Sequence, residues 1–102
     1  MPEFRKAART GDVPPGKSKL VVVDGLRIAL FRDAGGGFHA IDDSCPHMGG
    51  PLSDGDLCGT VVTCPWHAWP FDVTSGMNPD EPEIVVPRHP VRVEGEDVWI
   101  QI

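Results

Sequence analysis

Two similar short motifs stand out in the sequence, CPHMG at residues 45–49 and CPWHA at residues 64–68. Each motif offers one thiol and one imidazole, and a proline directly follows each cysteine. Because proline fixes the backbone φ angle and lacks an amide hydrogen, it stiffens a loop that has to aim its side chains. The candidate ligands of a site built from these two loops are Cys45, His47, Cys64 and His67.

Two cysteines and two histidines leave several chemistries open. Tetrahedral zinc accepts these ligand types, although zinc fingers usually take a cysteine pair from one loop and a histidine pair from another. A disulfide between Cys45 and Cys64 would leave both histidines unexplained. A four-cysteine iron–sulfur cluster is excluded within one chain, because the chain has three cysteines. One cysteine and one histidine in each loop favour a two-iron cluster in which one iron takes the cysteines and the other the histidines.

Outside the motifs, the sequence has the pattern of an all-β protein without a helical period. Residues 20–23 and 26–31 are apolar runs joined by Asp24-Gly25, a dipeptide that tolerates the positive φ angles of a tight hairpin. Residues 91–93 and 98–102 alternate, which predicts strands with one buried and one wet face. Further strands are predicted at residues 38–41, 59–63 and 68–72.

Length and composition predict how the chain is organised. Its 102 residues suit one domain, and we expect a single domain over residues 1–102. Residues 42–83 are crowded with Gly, Pro, Cys, His and Trp, which predicts an insert of loops carried on a rigid β base.

The net charge and the lack of long apolar segments argue against some kinds of partner and location. The net charge of −6 argues against nucleic acid or an anionic membrane as the main partner, and it suits docking to a basic patch on a protein. No apolar stretch reaches the ~18 residues that a membrane span needs, and residues 1–10 lack the apolar run of a signal peptide. We therefore expect a cytoplasmic location.

The two motifs and their flanks resemble the cluster-binding loops of the Rieske family, Cys-x-His and Cys-x-x-His. The flanks that agree are residues 41–44, 49–52, 71–76 and 90–95, and the resemblance covers roughly residues 5–102. It implies a Rieske-type antiparallel β-sandwich with a small cluster-binding loop subdomain. It also implies one Rieske [2Fe-2S] cluster, held by Cys45, His47, Cys64 and His67.

The resemblance also bears on the redox potential. In high-potential members of the family each loop carries an extra cysteine, and the two form a disulfide; the matching positions here are Gly50 and Trp66. Those members also place serine and tyrosine hydroxyls as donors to cluster sulfurs, at positions matching Trp69 and Phe71. Hydrogen bonds to sulfur raise the potential, so we expect the bottom third of the Rieske range of about −150 to +300 mV.

The leading functional hypothesis is a soluble Rieske ferredoxin, an electron carrier rather than an enzyme. The family resemblance implies a flavoprotein reductase as donor and a terminal oxygenase or similar acceptor, and we expect a monomer in isolation. One alternative is a small Rieske-like subunit of an NAD(P)H nitrite reductase. Some subunits of this kind lack cluster ligands. Another alternative is a zinc-binding structural module.

For several residues outside the two motifs, the sequence predicts a structural role. Cys58 is predicted to be a buried structural residue. His39 and His89 have no cysteine neighbour and are predicted to be surface or hydrogen-bonded histidines, and Trp99 to pack in the last strand.

The second motif and the loop after it add three more expectations. Trp66 and Trp69 either shield the cluster and form a docking surface, or simply pack the insert onto the sheet. Ala68 stands where the family usually has glycine, so we expect a backbone conformation open to both residues. Residues 78–82 are a candidate for a proline-bearing loop that closes over the cluster.

Overall fold

The computed structural model describes residues 3–46, 49–66 and 68–101. Within them the chain is all β, apart from two single-turn 3-10 helices at Thr10–Asp12 and Leu52–Asp54. No helix in this part of the chain is long and apolar enough to cross a membrane. The strands are β1 (Phe4–Arg9), β2 (Ser18–Val23), β3 (Leu26–Arg32), β4 (Phe38–Asp42), β5 (Asp56–Cys58), β6 (Val61–Thr63), β7 (Pro70–Asp72), β8 (Arg88–His89), β9 (Val91–Glu94) and β10 (Asp97–Gln101).

The strands form three antiparallel sheets. The terminal sheet has the order β1-β10-β9, the central sheet β2-β3-β4-β8, and the site sheet β5-β6-β7. The site sheet lies entirely within residues 42–83, which the sequence predicted to be mainly loops. This segment is thus stiffened by a small sheet of its own.

Strand β3, in the interior of the central sheet, is buried on both faces. Neighbouring residues of a strand point to opposite sides of its sheet. On β3, Ile28 and Leu30 belong to one apolar core, whereas Ala29 and Phe31 belong to the other, and all four are fully buried. The strand therefore separates two cores, and the site is built against only one of them.

The two cores differ in the elements that supply them. The terminal core lies between the central and terminal sheets and contains Ala8, Val13, Val21, Val23, Ile28, Leu30, Ala40, Val98 and Ile100. The site core packs the central sheet against the site sheet and the cysteine loops, and contains Ala29, Phe31, Ile41, Cys45, Leu52, Val62, Cys64, Phe71, Val73 and Val86.

The hairpin signal is confirmed by the backbone. Asp24 and Gly25 have φ angles of 51° and 82°, and β2 and β3 pair on either side of them. Strands β1, β5 and β8 were not predicted. The sequence of β1, FRKAAR, has no apolar alternation, and it becomes a strand by pairing with β10.

The predicted alternation in the last hairpin is confirmed on β10 and wrong at one position on β9. Val98 and Ile100 are fully buried. Val93 lies opposite Val98 in the ladder yet is 45% exposed. Strand β9 is the edge of its sheet and ends at the Gly95 turn, so less of the molecule covers it.

Candidate functional site

Two backbone hydrogen bonds join the described ends of the first cysteine loop. The amide of Cys45 donates to the carbonyl of Gly50 at 2.9 Å, and the amide of Gly49 donates to the carbonyl of Cys45 at 2.7 Å. Gly49 adopts a φ angle of 74°. An antiparallel bridge between Ser44 and Pro51 continues the pairing at the base of the loop.

The second cysteine loop repeats this pattern. The amide of Cys64 donates to the carbonyl of Trp69 at 2.9 Å, and the amide of Ala68 donates to the carbonyl of Cys64 at 3.0 Å. Ala68, at the position of Gly49 in the first loop, has a φ angle of 60°. The two loops therefore share the same two closing hydrogen bonds and a positive φ angle at the matching position, although their sequences differ after the proline.

Both loops place their cysteines in the site core. Cys45 is 2% exposed and Cys64 is 1% exposed. All three cysteines lie within the described residues, and none of them is in a disulfide there. The disulfide that the sequence left open between Cys45 and Cys64 is thus not formed.

His47 and His67, the other two candidate ligands, lie outside the described residues. Among the residues that are described, no group of three or more His, Cys, Asp or Glu side chains could hold a metal ion. Two cysteines brought into one apolar core by matching loops fit the sulfur side of a two-iron cluster, because thiolates are the ligands that such clusters prefer.

Asp43 supports the first loop, a role that the sequence analysis missed. The carboxylate is 2% exposed, and its Oδ1 accepts the amide of Ser53 at 2.8 Å. The carbonyl of Asp43 accepts the amide of Leu52 at 2.7 Å. These two hydrogen bonds link the residues before the first cysteine loop to the residues after it. The sequence signal that could have indicated this role is the aspartate two residues before the Cys-x-His motif.

The expectation for Ala68 is wrong. Its φ angle of 60° lies in the left-handed region, which costs a residue with a β-carbon roughly 1 kcal/mol relative to glycine. The hydrogen bond from the Ala68 amide to Cys64 holds the residue there. The second loop therefore carries backbone strain that the first loop avoids with Gly49.

Ala68→Gly should raise the free energy of unfolding of the cluster-bound protein by about 1 kcal/mol, because glycine adopts this φ angle without strain. Urea unfolding followed by far-UV circular dichroism measures the change. Ala34→Gly is the matched control, because Ala34 is an exposed turn residue outside the positive-φ region. The free energy of unfolding of the Ala34→Gly control should fall, because glycine adds conformational freedom to the unfolded chain. A lower free energy of unfolding in both variants would contradict the strain at Ala68.

The two tryptophans of the second loop have different environments. Trp69 is partly buried and packs against the site core, whereas Trp66 is 60% exposed. Phe71 on β7 is fully buried in that core. Neither Trp69 nor Phe71 has a hydroxyl group to donate to a sulfur atom.

The prediction that Cys58 is buried is wrong. Cys58 is exposed at the end of β5, an edge strand of the site sheet, and the Gly59 turn follows it. A short edge strand has no neighbour on its outer side, so its last residue faces solvent.

His39 and His89 are hydrogen-bonded, as predicted. The Nε2 atom of His39 lies 2.8 Å from Asp33, and that of His89 lies 2.6 Å from Asp42. The bond to His39 and a second bond from the amide of Gly37 hold the pKa of Asp33 below its usual value.

Residues 78–82 are anchored to the site core, whereas closure over a cluster stays a prediction. Asn78 is 4% exposed, and its Oδ1 accepts the amides of Asp80 and Glu81 at 2.8 and 3.1 Å. Its own amide donates to the carbonyl of Ile84, which packs against the site core.

The fold and the paired cysteine loops agree with a comparison against known families. The family model of the Rieske [2Fe-2S] domain matches residues 3–92. The chain belongs to the Rieske [2Fe-2S] domain family, and its cofactor is one Rieske [2Fe-2S] cluster. The resemblance inferred from the two motifs is thereby confirmed, as are the all-β fold and the cofactor.

Relatives of similar length include ferredoxins. The chain is 34% identical over 92 residues to the ferredoxin component of the naphthalene 1,2-dioxygenase system of Pseudomonas aeruginosa, covering 89% of this chain and 88% of that protein. Four other curated relatives are far longer, and the chain spans 15 to 17% of their length.

Solved structures share the fold over almost the whole chain. A chain described as the small subunit of an NADH-dependent nitrite reductase from Mycobacterium tuberculosis superposes with a TM-score of 0.92 at 26% identity, covering 100% of this chain and 96% of that one. A chain in the complex of reduced oxygenase and oxidised ferredoxin in carbazole 1,9a-dioxygenase has a TM-score of 0.83 at 30% identity, covering 95% and 91%.

Proposed function

We propose that this protein is a one-electron carrier, a Rieske ferredoxin that takes electrons from a flavoprotein reductase and passes them to a terminal oxygenase or similar acceptor. The observation that carries the proposal is the pair of buried cysteines on matching loops, in a chain that covers 88% of a dioxygenase ferredoxin component. The ferredoxin-like fold found in a complex with an oxygenase supports an oxygenase as the acceptor.

We propose Cys45 and Cys64 as the ligands of one iron and His47 and His67 as the ligands of the other. The cysteines are supported by their burial and loop geometry, and the histidines by the sequence motif alone. When bound, the cluster supplies a one-electron redox couple. The two thiolates would cancel the positive charge that two ferric ions keep after their two sulfides are counted.

The surface charge bears on the choice of partner. The chain has a net charge of −6, so a basic docking face on the partner would be attracted to it. The monomeric state and the cytoplasmic location stay predictions.

The midpoint potential should lie below about 0 mV, in the bottom third of the Rieske range. The reason is that Trp69 and Phe71 stand where high-potential members place hydroxyl donors to sulfur. A redox titration followed by visible absorption measures the potential of the purified protein. A midpoint above about 0 mV would contradict the assignment as a low-potential ferredoxin.

Capture of native partners tests the carrier role. A tagged form of the chain, purified gently from its source cells, should bring down an oxygenase with mononuclear iron or a flavoprotein. Recovery of a stoichiometric complex with a large sirohaem protein would overturn the free-carrier role.

Recovery of the complex with a sirohaem protein would support the alternative function, a small subunit of a nitrite reductase. The TM-score of 0.92 to a chain described as such a subunit favours this candidate. The presence in this sequence of all four candidate ligands favours the ferredoxin, because some nitrite reductase subunits of this kind lack them.

A further inference from the structure

Gly50, the last residue of the first cysteine loop, lies directly against the second loop. A β-carbon built on Gly50 would be 2.7 Å from Sγ of Cys64, and 3.1 and 3.2 Å from Cγ and Cδ2 of Trp66. Gly50 is buried, so there is no room at this position for a side chain. The first loop therefore touches both the sulfur and the indole of the second loop through one backbone position.

The indole of Trp66 is exposed on one side and packed on the other. Trp66 is 60% exposed overall, yet its ring lies beside Gly50 and Cys64 is only 1% exposed. The carbonyl of Gly50 also accepts the amide of Cys45 at 2.9 Å. The indole of Trp66 thus lies beside Gly50, which is hydrogen-bonded to Cys45 and lies against Cys64.

We propose that Trp66 is a positioning residue, whose indole braces the two cysteine loops through Gly50 and keeps water away from the Cys64 side of the site. The inference rests on the proposed ligand roles of Cys45 and Cys64. An apolar cover over a metal site controls the access of solvent and the local dielectric. Because reduction adds a negative charge, a more solvated site favours the reduced state, and removal of the cover should raise the potential.

Three variants of the cluster-bound protein test the brace. Trp66→Ala should raise the midpoint potential, and it should bleach at an iron-chelator concentration about tenfold lower than the parent protein, because loss of an outer-shell residue lowers metal affinity by at least about that factor. Trp66→Phe should retain most of the parent behaviour, because a ring remains over Gly50. Val93→Ala removes an exposed apolar side chain from the terminal sheet and should match the parent in both measurements.

An unchanged midpoint potential in Trp66→Ala would overturn the proposal, even if bleaching needed less chelator. A Cys64→Ala variant measured alongside separates this failure from failure of the ligand assignment. If Cys64→Ala loses the cluster while Trp66→Ala keeps the parent potential, only the brace is wrong. If Cys64→Ala keeps an intact cluster, the ligand assignment is wrong as well.

Discussion

Replacement of Cys64 by alanine abolishes the reddish-brown colour and the visible absorption of the purified protein. The alanine side chain has no atom that can bind iron, whereas the oxygen of a serine could still do so, and alanine therefore removes the proposed ligand completely. Cys64 is 1% exposed and held in place by the backbone of its own loop, so water or a distant side chain has no easy access to the vacant position. Iron and acid-labile sulfide, measured on anaerobically purified protein, should both fall from about two per chain to near zero.

Cys58→Ala provides the matched control for this experiment. Cys58 is the same residue type, but it is exposed at the end of an edge strand of the site sheet. Its replacement should leave the colour and iron content unchanged. Loss of the cluster in Cys58→Ala but not in Cys64→Ala would contradict the ligand assignment. A colourless parent protein that contains zinc would support the structural zinc module instead.

Gly76→Ala should lower the free energy of unfolding by about 3 kcal/mol, through strain and overpacking together. Gly76 has a φ angle of 80°, and a β-carbon there would press into the carbonyl oxygen of Val86. The two residues are also bonded, because the amide of Val86 donates to the carbonyl of Gly76 at 2.8 Å. Relief of the clash would pull Val86 out of the site core, so urea unfolding of the cluster-bound protein should show a clear loss.

Gly95→Ala separates the clash from the backbone strain. Gly95 has a φ angle of 61°, but a β-carbon on it would meet no atom within 4 Å. Its replacement should cost about 1 kcal/mol, the cost of the positive φ angle alone. Equal losses of stability in the two variants would show that the contact with Val86 contributes nothing.

The results expected for Cys64 and for Gly76 depend on features that are recognised in different ways. The cysteines stand in motifs whose residue types and spacing already suggest an iron–sulfur site, so the first experiment could be designed from the sequence. The glycine at position 76 is one of 12 in the chain, and although it ends a flank that resembles the family, no sequence pattern there shows that a side chain would not fit. Only the close approach of Val86 shows that a side chain would not fit there.

The same contrast appears in the strands. The β2–β3 hairpin was predictable because its turn residues and apolar runs are neighbours in the sequence. Strand β1 was not, because its charged sequence becomes extended only by pairing with β10, more than eighty residues away. Cys58 was misjudged for a similar reason, since its exposure depends on its place at a sheet edge.

Residue types and short spacings are enough to predict the all-β class, the two cysteine–histidine motifs and the family. The left-handed conformation of Ala68 and the position of Gly50 against Cys64 and Trp66 are seen only in the folded chain. Those features arise where two loops, distant along the chain, are packed onto one core. Backbone angles and close contacts of this kind are set by what the loops meet in space, and no local pattern encodes them.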